Sequence, residues 1–381
     1  GSSGKMVARG GVGLFYENVQ GNDVYNIGPN PPFSSTPQIF NSTAGGYTDH
    51  ASLDNPSGGT ATASPGNLQS LEATYPQQYS VQWNFGGEYQ FTEKTIFSLT
   101  YVGNSSFHQS MNRNINQPLP SATAYPLLNG ARPYLGWANI NEYENRATAN
   151  YNSLQASLRM SEWHGLFLAA NYTYSHCLDY VDNDLGGVPN AYNLHTEYGH
   201  CGFDIRHMMV VNYVYTLPFF SHANGMARAA LGGWLVSGVT TFYSGLPYTI
   251  SQSGDIAHCG CGGYRANLIG KPNTGPRTQA EWFDVAAFSP DTPGSFGDSA
   301  RNNVRGQGIN NYDFSVFKNF TGIPLPKSQE GGTLQVRIES YNLWNHTQFN
   351  GFSTNISNSN FGQATSTRLP RQIQLGMKLT F

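Results

Sequence analysis

The last residues of the chain alternate without a break. Ile373, Leu375, Met377, Leu379 and Phe381 are apolar, and Gln372, Gln374, Gly376, Lys378 and Thr380 between them are polar or small. A period of two predicts a strand with one apolar and one polar face. The pattern recurs upstream. Tyr79, Val81, Trp83, Phe85, Gly87, Tyr89 and Phe91 face one way, and Ser80, Gln82, Asn84, Gly86, Glu88 and Gln90 the other. Past the turn Thr92-Glu93-Lys94, Phe97, Leu99 and Tyr101 return on the next strand. Leu154, Ala156, Leu158 and Met160 mark another, and Leu166, Leu168, Ala170, Tyr172 and Tyr174 resume after Trp163-His164-Gly165. Met209, Val211, Tyr213, Tyr215 and Leu217 follow, then a blurred strand from about Gly233 to Ile250. Tyr312, Phe314 and Val316 mark one more, and Leu334, Val336 and Ile338 the last before the C-terminal strand. Val12, Leu14 and Tyr16 place a first strand at about Lys5 to Asn18. The total is about ten strands, most near the ~9–11 residues that a tilted transmembrane strand needs.

The connections alternate in length. Residues 92–94, 161–165, 218–232 and 321–332 are short. Residues 19–77, 106–150, 178–202, 251–309 and 346–369 are long. A soluble sandwich gives no reason for every second connection to be long. An antiparallel transmembrane barrel does, because its periplasmic turns are short and its extracellular loops long. The expected fold is therefore all-β, with the apolar face of each strand in lipid. The five long segments are the candidate surface for a bound substrate.

Composition agrees. Charged residues make up 11% of the 381-residue chain, well under the roughly 25% of soluble domains. The hydrophobic fraction is only 39%, and no apolar run approaches the ~20 residues of a membrane helix. Gly (43), Tyr (23) and Phe (22) fill the gap, as aromatic girdles and an uncharged polar interior require. A net charge of −3 without a basic block leaves no electrostatic footprint for nucleic acid. No N-terminal segment resembles a signal peptide, and Gly1-Ser2-Ser3-Gly4 reads as a loop or an expression scar. A chain bound for a bacterial outer membrane needs such a peptide, so this one is expected to be a fragment or a processed form.

Two resemblances sharpen the expectation. Gln374, Gly376, Leu379 and the terminal Phe381 look like the C-terminal signal of bacterial outer-membrane barrels, through which the barrel assembly machinery recognises its clients. The signal places Phe381 on the periplasmic side. More of the chain resembles the C-terminal half of the Oar-like TonB-dependent receptors of acidobacteria. The segments are Arg9-Gly10-Gly11-Val12-Gly13-Leu14-Phe15-Tyr16-Glu17, Tyr151-Asn152-Ser153-Leu154-Gln155, Phe203-Asp204-Ile205-Arg206-His207, Gly232-Gly233-Trp234 and Ser244-Gly245-Leu246-Pro247-Tyr248. They continue with Trp282-Phe283-Asp284, Ala287-Phe288, Phe317-Lys318-Asn319-Phe320, Tyr341-Asn342-Leu343-Trp344-Asn345-His346 and Pro370-Arg371-Gln372-Ile373-Gln374-Leu375-Gly376. The resemblance implies a barrel of about 22 strands, of which residues 1–381 are the C-terminal portion. It also implies a plug domain and an N-terminal carboxypeptidase-regulatory-like domain upstream of residue 1. The implied partners are that plug, the remaining strands, TonB through the N-terminal region, and outer-membrane lipid. The implied activity is energised uptake with no enzymatic step and no cofactor. A structural or adhesive surface β protein and a free-standing small porin are the rival readings.

Candidate chemistry is sparse. All four cysteines fall on the expected outer, oxidising side, and four allow three pairings. Cys177 with Cys201 is favoured, tying the base of one loop. Cys259 with Cys261 would close a tight C-x-C ring. His176, His200 and His258 each precede a cysteine, which raises a metal site. The spacing fits no zinc motif, and neighbouring residues point to opposite sides of an extended backbone, so no metal is expected. Asp179, Asp182, Asp184 and Gly187 hint at a calcium loop. Gly186 stands where a ligand belongs and Asn193 where the final Glu belongs, so a solvated acidic loop is expected. There is no G-x-S-x-G elbow and no H-E-x-x-H. Asn171-Tyr172-Thr173 falls in an expected strand and reads as a chance match to a glycosylation triplet.

Overall fold

The computed structural model describes residues 4–30, 66–220, 224–324 and 331–381. Residues 31–65 of the expected loop 19–77, the first three residues, and parts of the connections 218–232 and 321–332 lie outside the described residues. Ten long strands form the frame. They are β1 (Met6–Tyr16), β2 (Tyr79–Thr92), β3 (Thr95–Asn114), β4 (Ile140–Trp163), β5 (Leu166–Asp179), β6 (His207–Thr216), β7 (Trp234–Tyr243), β8 (Ile309–Ile323), β9 (Gly332–Tyr341) and β10 (Gln372–Thr380). Each pairs antiparallel with the next in one continuous meander.

The register puts the apolar sets of all ten strands on one face. Met160 pairs with Leu168, Leu168 with Tyr213, Tyr213 with Gly238, Gly238 with Phe314, Phe314 with Ser340 and Ser340 with Ile373. A neighbouring row runs Leu166, Tyr215, Val236, Val316, Ile338, Leu375. Trp83, Phe85, Tyr172, Val211, Met377 and Leu379 lie on the same face. The opposite face carries Arg159, Asn171, Asn212, Ser237, Asp313, Ser315, Glu339, Gln374 and Lys378. Soluble monomers rarely expose apolar patches beyond a few hundred Å². This one crosses ten strands, with Phe85 68% and Met377 78% exposed, so lipid is its solvent.

The rows are also staggered. Met6, at the start of β1, lies in the row of Tyr89, Phe97, Leu158, Ala170, Val211, Thr240 and Tyr312. A residue at one end of β1 is thus level with one near the other end of β8. Such a stagger is the shear of tilted strands in a barrel. A cleft of about 550 Å³ on the polar face reaches from Arg159 on β4 to Glu339 on β9, so the sheet curves toward its polar side.

The two ends differ. At one, Gly165 with φ +82 closes the β4–β5 turn. The connection 218–232 is less simple than its length suggests, since it holds a short helix, Gly225–Leu231. Lys318 sits on the apolar face opposite Trp234. Its ammonium donates to the carbonyls of Ala229 and Gly232 at the end of that helix, and lies 5.8 Å from the Trp234 ring centre and 5.0 Å from that of Phe320. The carbonyls supply what lipid cannot.

At the other end the loops are folded. Nearly half of the expected loop 106–150 is strand, because β3 continues to Asn114 and β4 begins at Ile140. The alternation was unreadable there because both faces of this extension are covered: Met111 and Glu144 are buried on one face, Tyr143 and Asn145 on the other. The blurred strand expected from Gly233 to Ile250 ends at Tyr243. Residues past it join short hairpins, Pro247–Tyr248 with Val304–Arg305, Asn267–Leu268 with Phe288–Ser289, and Phe349–Phe352 with Ala364–Thr367. Ile250, Ala266, Trp282, Phe283, Ala287, Phe288 and Val304 form a core among them. Finally, β1 and β10 stand at opposite edges of the sheet, each paired on one side only among the described residues.

Candidate functional site

The folded loops supply the geometry in which a substrate would be met. Their stems are tied by ion pairs that join segments far apart in sequence. Arg301 pairs with Asp179 and Asp182, and its Nε donates to the Glu197 carbonyl at 3.0 Å. Arg265 pairs with Glu197 at 2.8 Å, both side chains being 5% exposed. Breaking such a pair leaves a buried charge unmatched, which is strongly destabilising. The loops after β5 and after β7 therefore move as one.

These pairs correct the expectation of a solvated acidic loop at one residue, Asp179. Asp179 is buried and paired with Arg301. Asp182 accepts from the Gly202 amide, and Asp184 from the Ser110 hydroxyl. Only Asp179 is withdrawn from water; Asp182 and Asp184 remain exposed, and the three do not converge on an ion.

A second network lies where β3 and β4 extend past the wall. Glu144, fully buried, holds Arg113 and, at 3.3 Å, Arg146. Arg146 also reaches Glu72 at 2.6 Å. Glu142 lies one alternation from Glu144. Burial, and the neighbouring Glu144 carboxylate, push its carboxyl up to about 7.

A cleft of about 840 Å³ opens beside the loop core. Its walls are the aromatic faces of Trp282, Tyr312 and Trp344, with Gln307, Asn310 and Arg277 between them. The Arg277 guanidinium lies 5.4 Å from the Trp282 ring centre. Aromatic faces beside amide groups form a surface suited to a polar organic ligand.

The cysteines are brought together in two pairs. Cys177 is bonded to Cys201, with Cα atoms 5.4 Å apart, where the loop after β5 returns to its stem. Cys259 is bonded to Cys261, with Cα atoms 5.2 Å apart. Tyr264 donates its phenol to Asp255 at 2.5 Å and lies 3.2 Å from both sulfurs. The C-terminal residues behave as the pattern predicts. Leu379 is on the apolar face opposite Leu334, while Gln374 and Gly376 are opposite Glu339 and Arg337. Phe381 lies just past β10 and is 92% exposed.

The chain matches the family model "Outer membrane beta barrel domain" over residues 2–374. It belongs to that family. This outer-membrane barrel thus lies in the bacterial outer membrane, with its folded loops outside the cell and its short turns in the periplasm. No curated protein matches the chain. Among solved structures, it is similar to the outer membrane transporter YddB from Escherichia coli, at 12% identity and a TM-score of 0.45, over 83% of this chain and 34% of that one. It is similar to P. aeruginosa FpvA bound to heterologous pyoverdines, at 9% identity and a TM-score of 0.39, over 80% and 27%. The FrpB iron transporter from Neisseria meningitidis aligns at 12% identity and a TM-score of 0.40, over 82% and 32%. The chain therefore spans about a third of the length of these proteins.

Arg301, Arg265, Glu197 and Asp204 were not legible as site residues. Their partners are distant; Arg301 and Asp179 are 122 positions apart. The one usable signal was scarcity. Charged residues make up only 11% of the chain, so each one in the Asn- and Gly-rich loops stood out as a candidate for a specific partner.

Proposed function

We propose that the chain is the C-terminal part of the barrel of an Oar-like TonB-dependent receptor. It would bind a substrate at its extracellular loops and admit it through a plugged lumen, with no catalytic step of its own. The motifs that resemble the family run from Arg9 to Gly376 in the family's order. The observation that carries the reading is the pair of free edges. Lipid tolerates no unpaired strand edge, so on this reading β1 and β10 pair with further strands, and a barrel of about 22 strands has a lumen wide enough to hold a plug. The folded loop layer suits capture of a ligand from outside. TonB, the plug and the assembly machinery are the partners this reading requires, the last engaging Gln374, Gly376, Leu379 and Phe381.

The test is disulfide crosslinking in the intact outer-membrane protein. A cysteine at Gly10 on β1 paired in turn with one at Ile373, Leu375 or Met377 on β10, all on the apolar face, should not crosslink, and TonB should co-purify with the protein through a segment outside this chain. Efficient crosslinking of any of these pairs, with channel conductance and no TonB, would establish the small porin instead.

A further inference from the structure

Cys177 and Cys201 each follow a histidine. Successive side chains on an extended backbone point to opposite sides. Here that separates two chemistries. The cysteines meet on one side, with the Cys201 amide donating to the Cys177 carbonyl at 3.3 Å. The histidines then meet on the other. His200, paired with Leu178 in a short ladder beside β5, brings its Nδ1 to 3.2 Å from Nε2 of His176. Asp204 completes the corner, with its Oδ2 3.7 Å from the same Nδ1.

The geometry points to a binding site for a first-row divalent ion of the zinc class, formed by His176, His200 and Asp204 at the extracellular rim. All three offer ligand atoms within 4.8 Å of one another. Zinc takes imidazole nitrogen at about 2.0–2.1 Å, so two nitrogens on one tetrahedral ion stand about 3.3 Å apart. The observed 3.2 Å needs almost no adjustment. Two histidines and a carboxylate on one side of an ion leave open positions for water or a ligand.

The carboxylate is oriented before any ion arrives. Its Oδ1 accepts from the Cys177 amide at 2.9 Å, and the side chain is 1% exposed. Arg305 and Arg206 hold Oδ2 from the other side. Those two guanidiniums also oppose a cation, so the site should bind reversibly. The disulfide is the clamp: without it, nothing covalent holds His200 against His176. His176 follows Tyr172 and Tyr174 on the same face of β5, at the end of the strand that leads into the folded loops.

The competing account is that the imidazoles merely share a proton, which an ion would displace. The test uses the intact protein in detergent, stripped with chelator and titrated with zinc, then with cobalt as a spectroscopic probe. One ion per chain is expected. His176→Ala and His200→Ala should each lower affinity at least about tenfold, as does loss even of groups that only support a ligand. The paired Cys177→Ser and Cys201→Ser variant should lower it too, and His195→Ala, an exposed control, should not. Barrel folding is checked by heat-modifiability, with His176→Gln in reserve if alanine fails to fold. Absence of binding by the folded wild type overturns the proposal, as does wild-type affinity in both histidine variants. So does a cobalt–thiolate charge-transfer band, which would place the ion on cysteine sulfur instead of on the two imidazoles.

Discussion

The wall and the loop layer follow opposite rules within one chain. On the wall, Phe85, Leu375 and Met377 face outward and are largely exposed, while Ser, Asn and Asp line the inside. In the loop layer, Phe283 is fully buried, and its ring lies 5.3 Å from that of Phe361. Charge follows the same division. Among the described residues, the apolar wall carries one ammonium, Lys318, covered by helix carbonyls. The loops hold buried Arg–carboxylate pairs. The difference is one of solvent. Lipid tails are as apolar as Leu, so the wall gains nothing by hiding its apolar residues and must satisfy its backbone through the ladder. The loops stand in water, where burying apolar area is worth about 25 cal/mol per Å². They therefore need a core of their own and behave as a small domain mounted on the barrel.

This contrast can be broken at four points. Phe283→Ala should cost the loop layer about 3–5 kcal/mol and leave the wall folded. Hydrogen exchange would report it as fast exchange in residues 244–308 with β2–β9 still protected. Loss of protection in both would show one cooperative unit. Met377→Arg should cost about 2–4 kcal/mol if the site is near the bilayer midplane, while Lys378→Leu should be tolerated. Insertion that survives Met377→Arg but not Lys378→Leu would mean that the two faces have been exchanged. We propose that Cys177–Cys201 persists in the cell, and its loss should destabilise the loop after β5 by about 2 kcal/mol, low in the usual range because ladder bonds already hold its ends. Mass mapping of non-reduced peptides decides the pairing, and two free thiols would refute it.

The smallest effect concerns pH. Glu142 has its carboxyl raised to about 7 from an ordinary value of 4.5. A carboxyl that holds its proton more tightly when folded lends stability below about 4.5, and loses it as pH rises through about 7. The extension formed by residues 107–114 and 140–148 should therefore loosen between pH 5 and 8. Intrinsic-rate-corrected hydrogen exchange should show this, and Glu142→Gln should remove it. An equal response in β6–β9 would mean that the change is global.

Much of the wall was legible in sequence. Ile373 to Phe381, Tyr79 to Phe91 and Leu166 to Tyr174 each alternate because each strand meets lipid on one side and water on the other, and a single row of residues records both. Connection lengths then ordered the strands. The loops carried no such record. Phe283 and Val304 pack against segments tens of residues away, so no local period marks them. The extensions of β3 and β4 hid for a related reason, since both their faces are covered. Arg301 is defined by partners that the fold alone delivers. The histidines show the division most compactly. Sequence determined that each would stand opposite its neighbouring cysteine, because backbone geometry requires it. Only the tertiary structure decided that joining the two cysteines would set the two imidazoles 3.2 Å apart, because that distance depends on where the loop after β5 returns.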